Sequence, residues 1–546
     1  MSVESRVDHP GPSETLTRSE VVSKPSEPDG GASQVEERGY PEKLDGRLLR
    51  IAGVCVLASM TQSMDATVVS VAQRTFVTAF GSTQAFVAWT MTAYMLAMAT
   101  VTPLAGWASD RFGTKRVFMG SVLAFNVGSF LCALAPNMML LIVFRVVQGL
   151  GGGFLIPLVL TIFTREAGPG RLGRLMAVLG IPMVLGPICG PVLGGWLIDS
   201  FGWEWTFWIN LPNGLTTLIL AAIVLPNDRP KASEPFDFVG MLLLSPGLAM
   251  FLYGVSSIPD RGTMANSHVW VPAVIGLLLI IGFVVHALYR TKHPLIDLRL
   301  FTNRVLRLAI SVMFIYGVGY AGVGLLFPSY FQELLNHTSV QAGMDMVVMG
   351  LGAMLAIPFA GMIVDRRGPG TIVVVGCSVI TGGMALFAFG VAVYPHYLPT
   401  LLVALGIIGM GAGCTGLPLS AAAVQTLARH QLATGSTLLS VGQQLAASIG
   451  AALMSVILTS QFNRSENISG AHKIAALQEE CARRGVPIDP SRLPRAARNP
   501  DFAGNLLHDL SHAYSVVFFV AVGLMASMWI PAVMLARATK ARSGRD

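Results

Sequence analysis

The chain has 546 residues, of which 53% are hydrophobic and only 12% are charged, and its formal net charge is +7. A soluble domain carries about 25% charged residues, so this composition excludes an ordinary soluble protein. The cations stand singly at the ends of apolar segments and form no basic patch, which argues against nucleic-acid binding. The six cysteines show neither a disulfide framework nor the spacing of metal ligands.

A polar segment precedes the apolar part of the chain. Residues 1–47 are rich in Ser, Pro, Gly and charged side chains, and they lack the apolar core of a signal peptide, so we predict a disordered tail. A membrane-spanning helix needs about 20 mainly apolar residues. By that rule the chain has fourteen predicted spans, which lie near 49–72, 84–107, 115–135, 138–163, 172–198, 204–225, 236–257, 268–290, 306–331, 340–364, 370–393, 397–427, 434–460 and 512–536.

Arg and Lys residues determine the predicted orientation. With the N-terminus in the cytoplasm, most cations fall into inside loops, and the short outside loops hold only Arg74 and Arg261. Both termini, including the tail at 538–546, are therefore predicted to be cytoplasmic, in a multi-pass protein of the cytoplasmic (inner) membrane. The external loop at 461–511 carries seven Arg/Lys and six Asp/Glu, but loops of that length cross the membrane with weaker regard for charge.

A short charged motif, G-x-x-x-D-R-x-G, occurs twice, at 106–113 and at 361–368. The first copy follows span 2 and the second follows span 10. Two six-span halves joined directly would place the second copy after span 8, so two additional helices are expected between the halves. The predicted fold is all-α with 14 transmembrane helices arranged as 6+2+6, in which an N-terminal bundle, two linker helices and a C-terminal bundle occupy 48–227, 236–290, and 300–460 with 512–537.

Further motifs lie in the first half of the chain. Span 1 carries Asp65 deep inside the membrane, and span 4 carries Arg145 and Gln148 in R-x-x-Q-G. An arginine at mid-span costs at least ~2.5–3.5 kcal/mol on insertion scales, and a buried acid must be protonated, paired or in contact with water. Span 5 contains G-x-x-x-G-P-x-x-G-G at 186–195, and W-E-W-T-F-W-I-N-L-P follows at 203–212.

Together these motifs resemble the major facilitator superfamily, and within it the fourteen-span drug:proton antiporters of the EmrB/QacA type. The resemblance runs from about residue 52 to residue 536, without the N-terminal tail and the last external loop. It implies the major facilitator fold, no enzymatic activity, and no cofactor beyond the proton motive force as energy source. The chain departs from the family pattern at Ser70, Gln73, Arg74 and Glu204, where the family usually has Asn, Leu, Pro and Arg.

The resemblance also implies roles for particular residues. Proton coupling falls to Asp65, Arg145 and Gln148. Gating at the cytoplasmic side falls to residues of the two D-R turns, which are Gly106, Asp110, Arg111, Gly113, Arg116, Asp365 and Arg366. The element of span 5 that is associated with antiporters consists of Gly186, Gly190, Pro191, Gly194 and Gly195.

A substrate cavity between the two bundles is predicted from acidic and aromatic residues of the spans, which are Asp65, Trp89, Tyr94, Tyr316, Tyr320 and Asp345. Each has an ordinary structural alternative. The aromatic side chains could serve packing, and Asp345 could be a solvated acid at the interface. Arg145 could also reach the membrane surface with its long side chain and serve as an anchor only.

The sequence therefore predicts a proton-driven antiporter that exports amphipathic, cationic drugs or toxic compounds by alternating access. Its expected partners are the lipid bilayer, small amphipathic substrates and protons, and the loop at 461–511 could bind a periplasmic adaptor protein. An exporter of a lipid, siderophore, peptide or metabolite with the same fold is the alternative, because the motifs concern gating and coupling and not cargo. The paired turns argue against a channel or a receptor, and no Walker A sequence or catalytic constellation predicts an enzyme.

Overall fold

A computed structural model describes residues 45–167, 171–227, 235–257, 267–291, 293–324, 326–393, 398–428, 431–484, 494 and 501–543. Within these ranges the chain is helical apart from short connections, and they contain no β-strand. Most of the predicted N-terminal tail, residues 1–44, and the last three residues of the predicted C-terminal tail lie outside the described residues.

The helices of the first half and the two predicted linker helices follow one another closely. They are α1 Gly46–Ala79, α2 Gln84–Val87, α3 Trp89–Val101, α4 Ala105–Phe112, α5 Thr114–Ala133, α6 Met138–Ala167, α7 Leu172–Phe201, α8 Trp205–Trp208, α9 Asn210–Val224, α10 Phe238–Ser256 and α11 Ser267–Val285. A 3₁₀ turn at Thr102–Leu104 separates α3 from α4, and a π-helical turn at His286–Arg290 ends α11.

The second half repeats this pattern of long helices. After a 3₁₀ turn at Leu298–Thr302, its helices are α12 Arg304–Gly324, α13 Leu326–Leu334, α14 Ser339–Arg367, α15 Pro369–Val393, α16 Leu398–Gln425, α17 Leu432–Arg464, α18 Glu466–Arg484, α19 Phe502–Ser527 and α20 Trp529–Ser543. Four aromatic side chains on α13, α15 and α19 pack edge to face or stacked in its core, which are Phe327, Tyr330, Phe387 and Phe518.

Twelve helical stretches of the described chain are long and apolar enough to cross a membrane. The predicted spans 2 and 5 are not among them. Span 2 is interrupted by the 3₁₀ turn that contains Pro103, because proline lacks the amide hydrogen that a continuous helix would use. Span 5 corresponds to α7, which is a single helix of 30 residues.

The helices α10 and α11, which are predicted to be inserted between the halves and are called the inserted helices below, pack against each other, and α10 also packs against α3 and α17. Asp237 fixes their position, because it caps the N-terminus of α10 and also lies 2.8 Å from Nε2 of His286 at the end of α11. Asp237 Oδ2 additionally accepts a hydrogen bond from the backbone amide of Leu295 at 3.1 Å. The inserted pair is therefore tied to the chain segment that leads into the second half.

The predicted external loop at 461–511 is partly helical. α17 continues to Arg464, α18 follows directly, and α19 begins ten residues before the predicted start of the last span. Asp509 on α19 accepts hydrogen bonds from Ser465 Oγ at 2.6 Å and from Asn467 Nδ2 at 2.9 Å. This contact holds the start of α18 against α19.

Candidate functional site

An ion pair lies in the interior of the first half, with neither side chain exposed. Arg145 Nη1 on α6 donates a hydrogen bond to Asp65 Oδ2 on α1 at 2.6 Å, and both side chains are 0% exposed. Arg145 therefore does not reach the membrane surface, and the alternative that it serves as a surface anchor is wrong. A buried pair of this kind loses about 3–5 kcal/mol of stability when one partner is removed, because the other charge is left uncompensated.

Two amide side chains complete the coordination of the acid. Gln148 Nε2 and Asn210 Nδ2 donate to Asp65 Oδ1 at 2.9 and 2.8 Å. Gln148 lies one turn after Arg145 on α6, and its Oε1 accepts from Arg145 Nη1 at 2.7 Å. Asp65, Arg145, Gln148 and Asn210 are called the polar cluster below.

Asn210 is the member of the polar cluster that the sequence analysis did not assign. It stands in W-E-W-T-F-W-I-N-L-P at the start of α9, and that motif was its only signal in the sequence. Its Nδ2 also donates to Ser129 Oγ on α5 at 3.0 Å. Asn210 therefore connects the acid of α1 to both α5 and α9.

The arginine also has contacts on α3. Arg145 Nε donates to the backbone carbonyl of Thr90 at 3.2 Å, and the guanidinium carbon lies 4.0 Å from the centre of the Tyr94 ring. A cation above an aromatic face in a desolvated site contributes about 2 kcal/mol. The polar cluster thus joins α1, α3, α6 and α9, so a change in its charge acts on four helices.

The second D-R turn links the two halves of the protein. Asp365 at the end of α14 accepts hydrogen bonds from the backbone amide of Gly173 at 2.8 Å and from the backbone amide of Arg174 at 3.2 Å. Arg174 Nε donates to the same carboxylate at 2.8 Å. Gly173 and Arg174 belong to the first turn of α7, where unpaired amides and the helix dipole favour an anion. We call this contact the Asp365 cap.

The first D-R turn is arranged differently. Asp110 Oδ1 accepts from Arg165 Nη2 on α6 at 3.0 Å, which is a contact within the first half. Gly113 ends α4 with φ +90°, a conformation that favours glycine. Three arginines of the two turns, Arg111, Arg116 and Arg366, are exposed on this face of the molecule.

Close packing between the halves accompanies both turns. A Cβ atom at Gly106 would lie 3.3 Å from the Cα of Thr434 on α17, and one at Gly361 would lie 2.7 Å from the carbonyl oxygen of Gly173 on α7. Farther along the interface, Gln444 Nε2 on α17 donates to Thr102 Oγ1 at 3.1 Å. The two halves are therefore in contact at the end of the molecule that carries the D-R turns.

The glycine-rich element of α7 faces α1. A Cβ atom at Gly186 would lie 2.6 Å from Cβ of Ser63, and one at Gly190 would lie 2.6 Å from Cβ of Thr67. Thr67 Oγ1 also lies 3.3 Å from the carbonyl oxygen of Gly186, to which it donates. Only glycine permits this approach, which sets the helix that carries Asp65 directly against α7.

The remaining residues of the glycine-rich element differ in how closely they approach neighbouring helices. A Cβ atom at Gly194 would lie 3.2 Å from Val68 Cγ1, whereas one at Gly195 would have nothing within 4 Å. Pro191 lies inside α7, and its side chain is outside the described residues. Gly186, Gly190 and Gly194 thus form one packing face, and Gly195 is not part of it.

The predicted cavity residues of the first half lie in two different environments. Asp65 is only 1% exposed and Tyr94 only 2%, and both belong to the surroundings of Arg145. Trp89 is 38% exposed and stacks on Tyr253 of α10, with ring centres 5.6 Å apart. In this conformation Asp65 is therefore enclosed by its partners, whereas Trp89 faces the inserted helices, and their assignment to a substrate cavity stays a prediction.

The predicted cavity residues of the second half lie in two places. The rings of Tyr316 and Tyr320 on α12 stack at 5.2 Å with an angle of 12° between them, and both are half-buried. Asp345 lies near the start of α14, where its Oδ2 is 2.7 Å from Nδ1 of His337. The sequence analysis did not anticipate His337 as the partner of this acid.

The fold and the polar cluster define a class of protein, namely an all-helical, multi-pass membrane protein whose two halves meet at a pair of charged turns. The sequence profile of the Major Facilitator Superfamily matches residues 55–451. The chain therefore belongs to the major facilitator superfamily.

Sequence similarity to named proteins narrows the position of the chain within that superfamily. It is 61% identical over 505 residues to the "Multidrug resistance protein B homolog" of Mycobacterium tuberculosis, covering 92% of this chain and 93% of the relative. It is 28% identical to the "Multidrug export protein EmrB" of Haemophilus influenzae, covering 76% and 81% of the two chains. The resemblance to exporters of the EmrB type is thereby confirmed.

Solved structures agree on the fold. The human organic anion transporter MFSD10 superposes with a TM-score of 0.58 at 16% identity, covering 89% of this chain and all of the other. The proton:xylose symporter XylE superposes with a TM-score of 0.53 at 14% identity, covering 88% and 95% of the two chains. At these identities the similarity concerns the fold alone.

Proposed function

We propose that this protein is a proton-driven antiporter that exports amphipathic cations across the inner membrane by alternating access. The proposal includes fourteen spans in a 6+2+6 arrangement. It is supported by α7, which has the length of a span, and by α3 and α4, which together form an interrupted one. The distribution of Arg and Lys supports an orientation with both termini in the cytoplasm.

The observation that carries the proposal is the fully buried pair of Asp65 and Arg145. Burying an ionisable pair inside a membrane protein costs free energy, so such pairs usually mark functional sites. A carboxylate in such a pair is a site at which a proton can bind. Protonation of Asp65 removes the negative charge that balances Arg145. The polar cluster then carries a net positive charge in the interior of the first half.

Coupling to a cationic substrate follows from electrostatics and needs no direct contact with Asp65. Two unit charges about 10 Å apart repel by about 1.7 kcal/mol at an effective dielectric constant of about 20, which exceeds a tenfold change in affinity. A proton on Asp65 therefore weakens the binding of a cation between the two halves, and a bound cation weakens the binding of the proton. The cation binds when Asp65 is ionised and leaves when Asp65 is protonated.

The route from the polar cluster to the gate runs through α1 and α7. Asp65 lies on α1, which packs closely on α7 at Gly186 and Gly190, and the first turn of α7 is held by the Asp365 cap. A shift of α1 on protonation is therefore transmitted to the contact between the halves. We assign the present conformation to the state in which the cytoplasmic side is closed.

The names of the relatives support a drug-like cargo, and the stacked pair of Tyr316 and Tyr320 offers aromatic faces to a flat cation. Outside the membrane, α18 provides a helical surface for a periplasmic adaptor protein. An exporter of another amphipathic compound with the same fold remains the alternative cargo assignment.

The test is transport of a fluorescent monovalent cationic dye in proteoliposomes with an imposed pH gradient. The wild-type protein should move the dye against its gradient, and a protonophore should abolish this accumulation. Asp65→Asn, which mimics the protonated carboxyl and leaves the charge of Arg145 uncompensated, should bind the dye about tenfold more weakly and lose gradient-driven accumulation. Accumulation by wild type that is insensitive to the protonophore, or full accumulation by Asp65→Asn, would refute the proposal.

A further inference from the structure

Unpartnered polar atoms surround the polar cluster on one side. Among the described residues, seven buried side-chain oxygen or nitrogen atoms have no hydrogen-bond partner. Four of them belong to Ser59, Gln62, Tyr94 and Arg145, on the mutually contacting helices α1, α3 and α6. A buried polar group without a partner is rare in proteins, and several of them in one place indicate a space that binds water.

Three of these groups, those of Gln62, Tyr94 and Arg145, lie where α1, α3 and α6 meet. Gln62 Nε2 contacts the sulfur of Met98 on α3 at 3.9 Å, which turns its amide towards that helix. Tyr94 lies one turn before Met98, and its ring lies beneath the guanidinium of Arg145. The hydroxyl of Tyr94 would be 3.0 Å from a Cβ atom at Gly152 on α6, so it lies between α3 and α6.

The unpartnered polar groups of α1 follow one another along the helix axis. Gln62 and Ser59 lie one and two turns from Asp65 on the side of the helix N-terminus, about 4.5 and 9 Å along the axis. Beyond Ser59, α1 buries only apolar side chains, including Cys55 and Ile51. The polar groups therefore lead from the cluster towards the cytoplasmic side and end at an apolar constriction.

Other polar groups of α1, which face α9, are paired. Thr61 Oγ1 accepts from Asn213 Nδ2 on α9 at 2.6 Å, just as Asp65 accepts from Asn210 one turn away. These hydrogen bonds hold α1 against α9. The titratable groups near the unpaired side are those of α1, α3, α5 and α6, namely Asp65, Tyr94, Cys132 and Arg145.

We propose that the space between α1, α3 and α6 is a water-filled proton path, with Gln62 as a positioning residue that orients its water. The path carries the proton of Asp65 through the first half towards the cytoplasmic side, where the apolar constriction closes it in this conformation, and it is separate from the route of the substrate between the halves. The O–H bond of the protonated carboxyl breaks, a water molecule takes the proton, and Asp65 returns to its pair with Arg145. This inference rests on the proposed antiport.

The test compares Gln62→Met, Gln62→Ser and a matched control in proteoliposomes. Gln443 of α17 is the control position, because its amide also contacts a methionine sulfur, that of Met313 at 3.5 Å, but lies in the other half. Two rates are measured for each variant. One is dye transport driven by a pH gradient, and the other is dye exchange at equal pH, which needs binding and alternating access but no net proton movement.

Gln62→Met should slow gradient-driven transport about tenfold and leave dye exchange within about twofold of wild type, since a tenfold rate corresponds to about 1.4 kcal/mol. Gln62→Ser, which restores a water-binding oxygen, should recover most of the rate, and Gln443→Met should resemble wild type. Equal loss of both rates in Gln62→Met would assign a structural role, and unchanged gradient-driven transport would exclude the path. Failure of wild type to respond to the gradient would refute the antiport itself, which is a separate result.

A second measurement needs no variant. Radiolysis of water labels side chains that lie beside bound water, so Tyr94 should be oxidised in the wild-type protein. The buried Tyr330 in the aromatic core of the second half is the matched control and should be protected. Equal protection of both tyrosines would contradict a hydrated space around Tyr94.

Discussion

The carboxylate of Asp365 and the backbone amide of Gly173 are 2.8 Å apart, although they belong to different halves of the protein. The acid belongs to the second D-R turn, near the end of α14, and the amide belongs to the first turn of α7. One side chain thus closes the contact between the halves by satisfying the free amides of a helix end.

Removal of this acid should open the D-R face of the molecule. An anion at a helix N-terminus contributes up to about 2 kcal/mol in partly buried geometry, so Asp365→Ala should raise the open population by about tenfold or more. Pulsed electron paramagnetic resonance measures the distance between spin labels at the exposed positions Arg111 and Arg366, and this distance should be longer in the open population. Asp199→Ala, which removes an exposed acid from the opposite end of α7, should leave the distance distribution unchanged.

The arginine of the polar cluster should not be replaceable by lysine. Arg145 donates to Asp65, Gln148 and the carbonyl of Thr90 at once, and an ammonium group lacks the planar fork that reaches all three. Arg145→Lys should therefore lower gradient-driven dye transport at least about tenfold at matched expression, equivalent to about 1.4 kcal/mol. Full transport by this variant would contradict the directional role of the guanidinium.

Variants of the Asp65–Arg145 pair should differ in stability although none of them transports the dye. Arg145→Met alone leaves a buried carboxylate uncompensated and should reduce the free energy of unfolding by about 3–5 kcal/mol. The double variant Asp65→Leu with Arg145→Met should regain most of that stability, because an apolar pair of similar volume replaces both charges. Thermal unfolding in detergent measures the first effect, and dye transport should remain absent in both variants.

Two glycines of α7 should respond differently to the same substitution. Gly190→Ala places a methyl group against Thr67 and should destabilise the protein by about 1–3 kcal/mol. Gly195→Ala meets no atom within 4 Å, and because alanine favours a helix more than glycine does, it should leave stability unchanged or raise it by up to about 1 kcal/mol. The two melting temperatures, measured side by side in the same detergent, decide whether the packing face ends at Gly194.

The proposed topology can be tested on a background without the six cysteines. Single cysteines at the exposed positions Arg111 and Arg366 should react with a membrane-impermeant maleimide only from the cytoplasmic side. A cysteine at Asn336, an exposed residue before α14, should react only from outside. Reaction of Arg111→Cys or Arg366→Cys from outside in intact cells would overturn the orientation and the repeat argument together.

The sequence by itself determined the helical class, the duplicated D-R turns, and the candidacy of Asp65, Arg145 and Gln148. Hydropathy is a local property of a segment, and a charge inside an apolar span stands out without knowledge of its neighbours. The family motifs added the glycine-rich element of α7, whose spacing alone predicts a flat helix face.

The tertiary structure alone decided which helix faces meet. Asn210 joins Asp65 from 145 positions away, and Asp365 meets Gly173 from 192 positions away. The structure also assigned Tyr94 to the arginine and Trp89 to the inserted helices, although both lie on α3. Rotation of a helix about its axis and its choice of neighbour depend on the packing of all helices together, and neither is encoded within a single span.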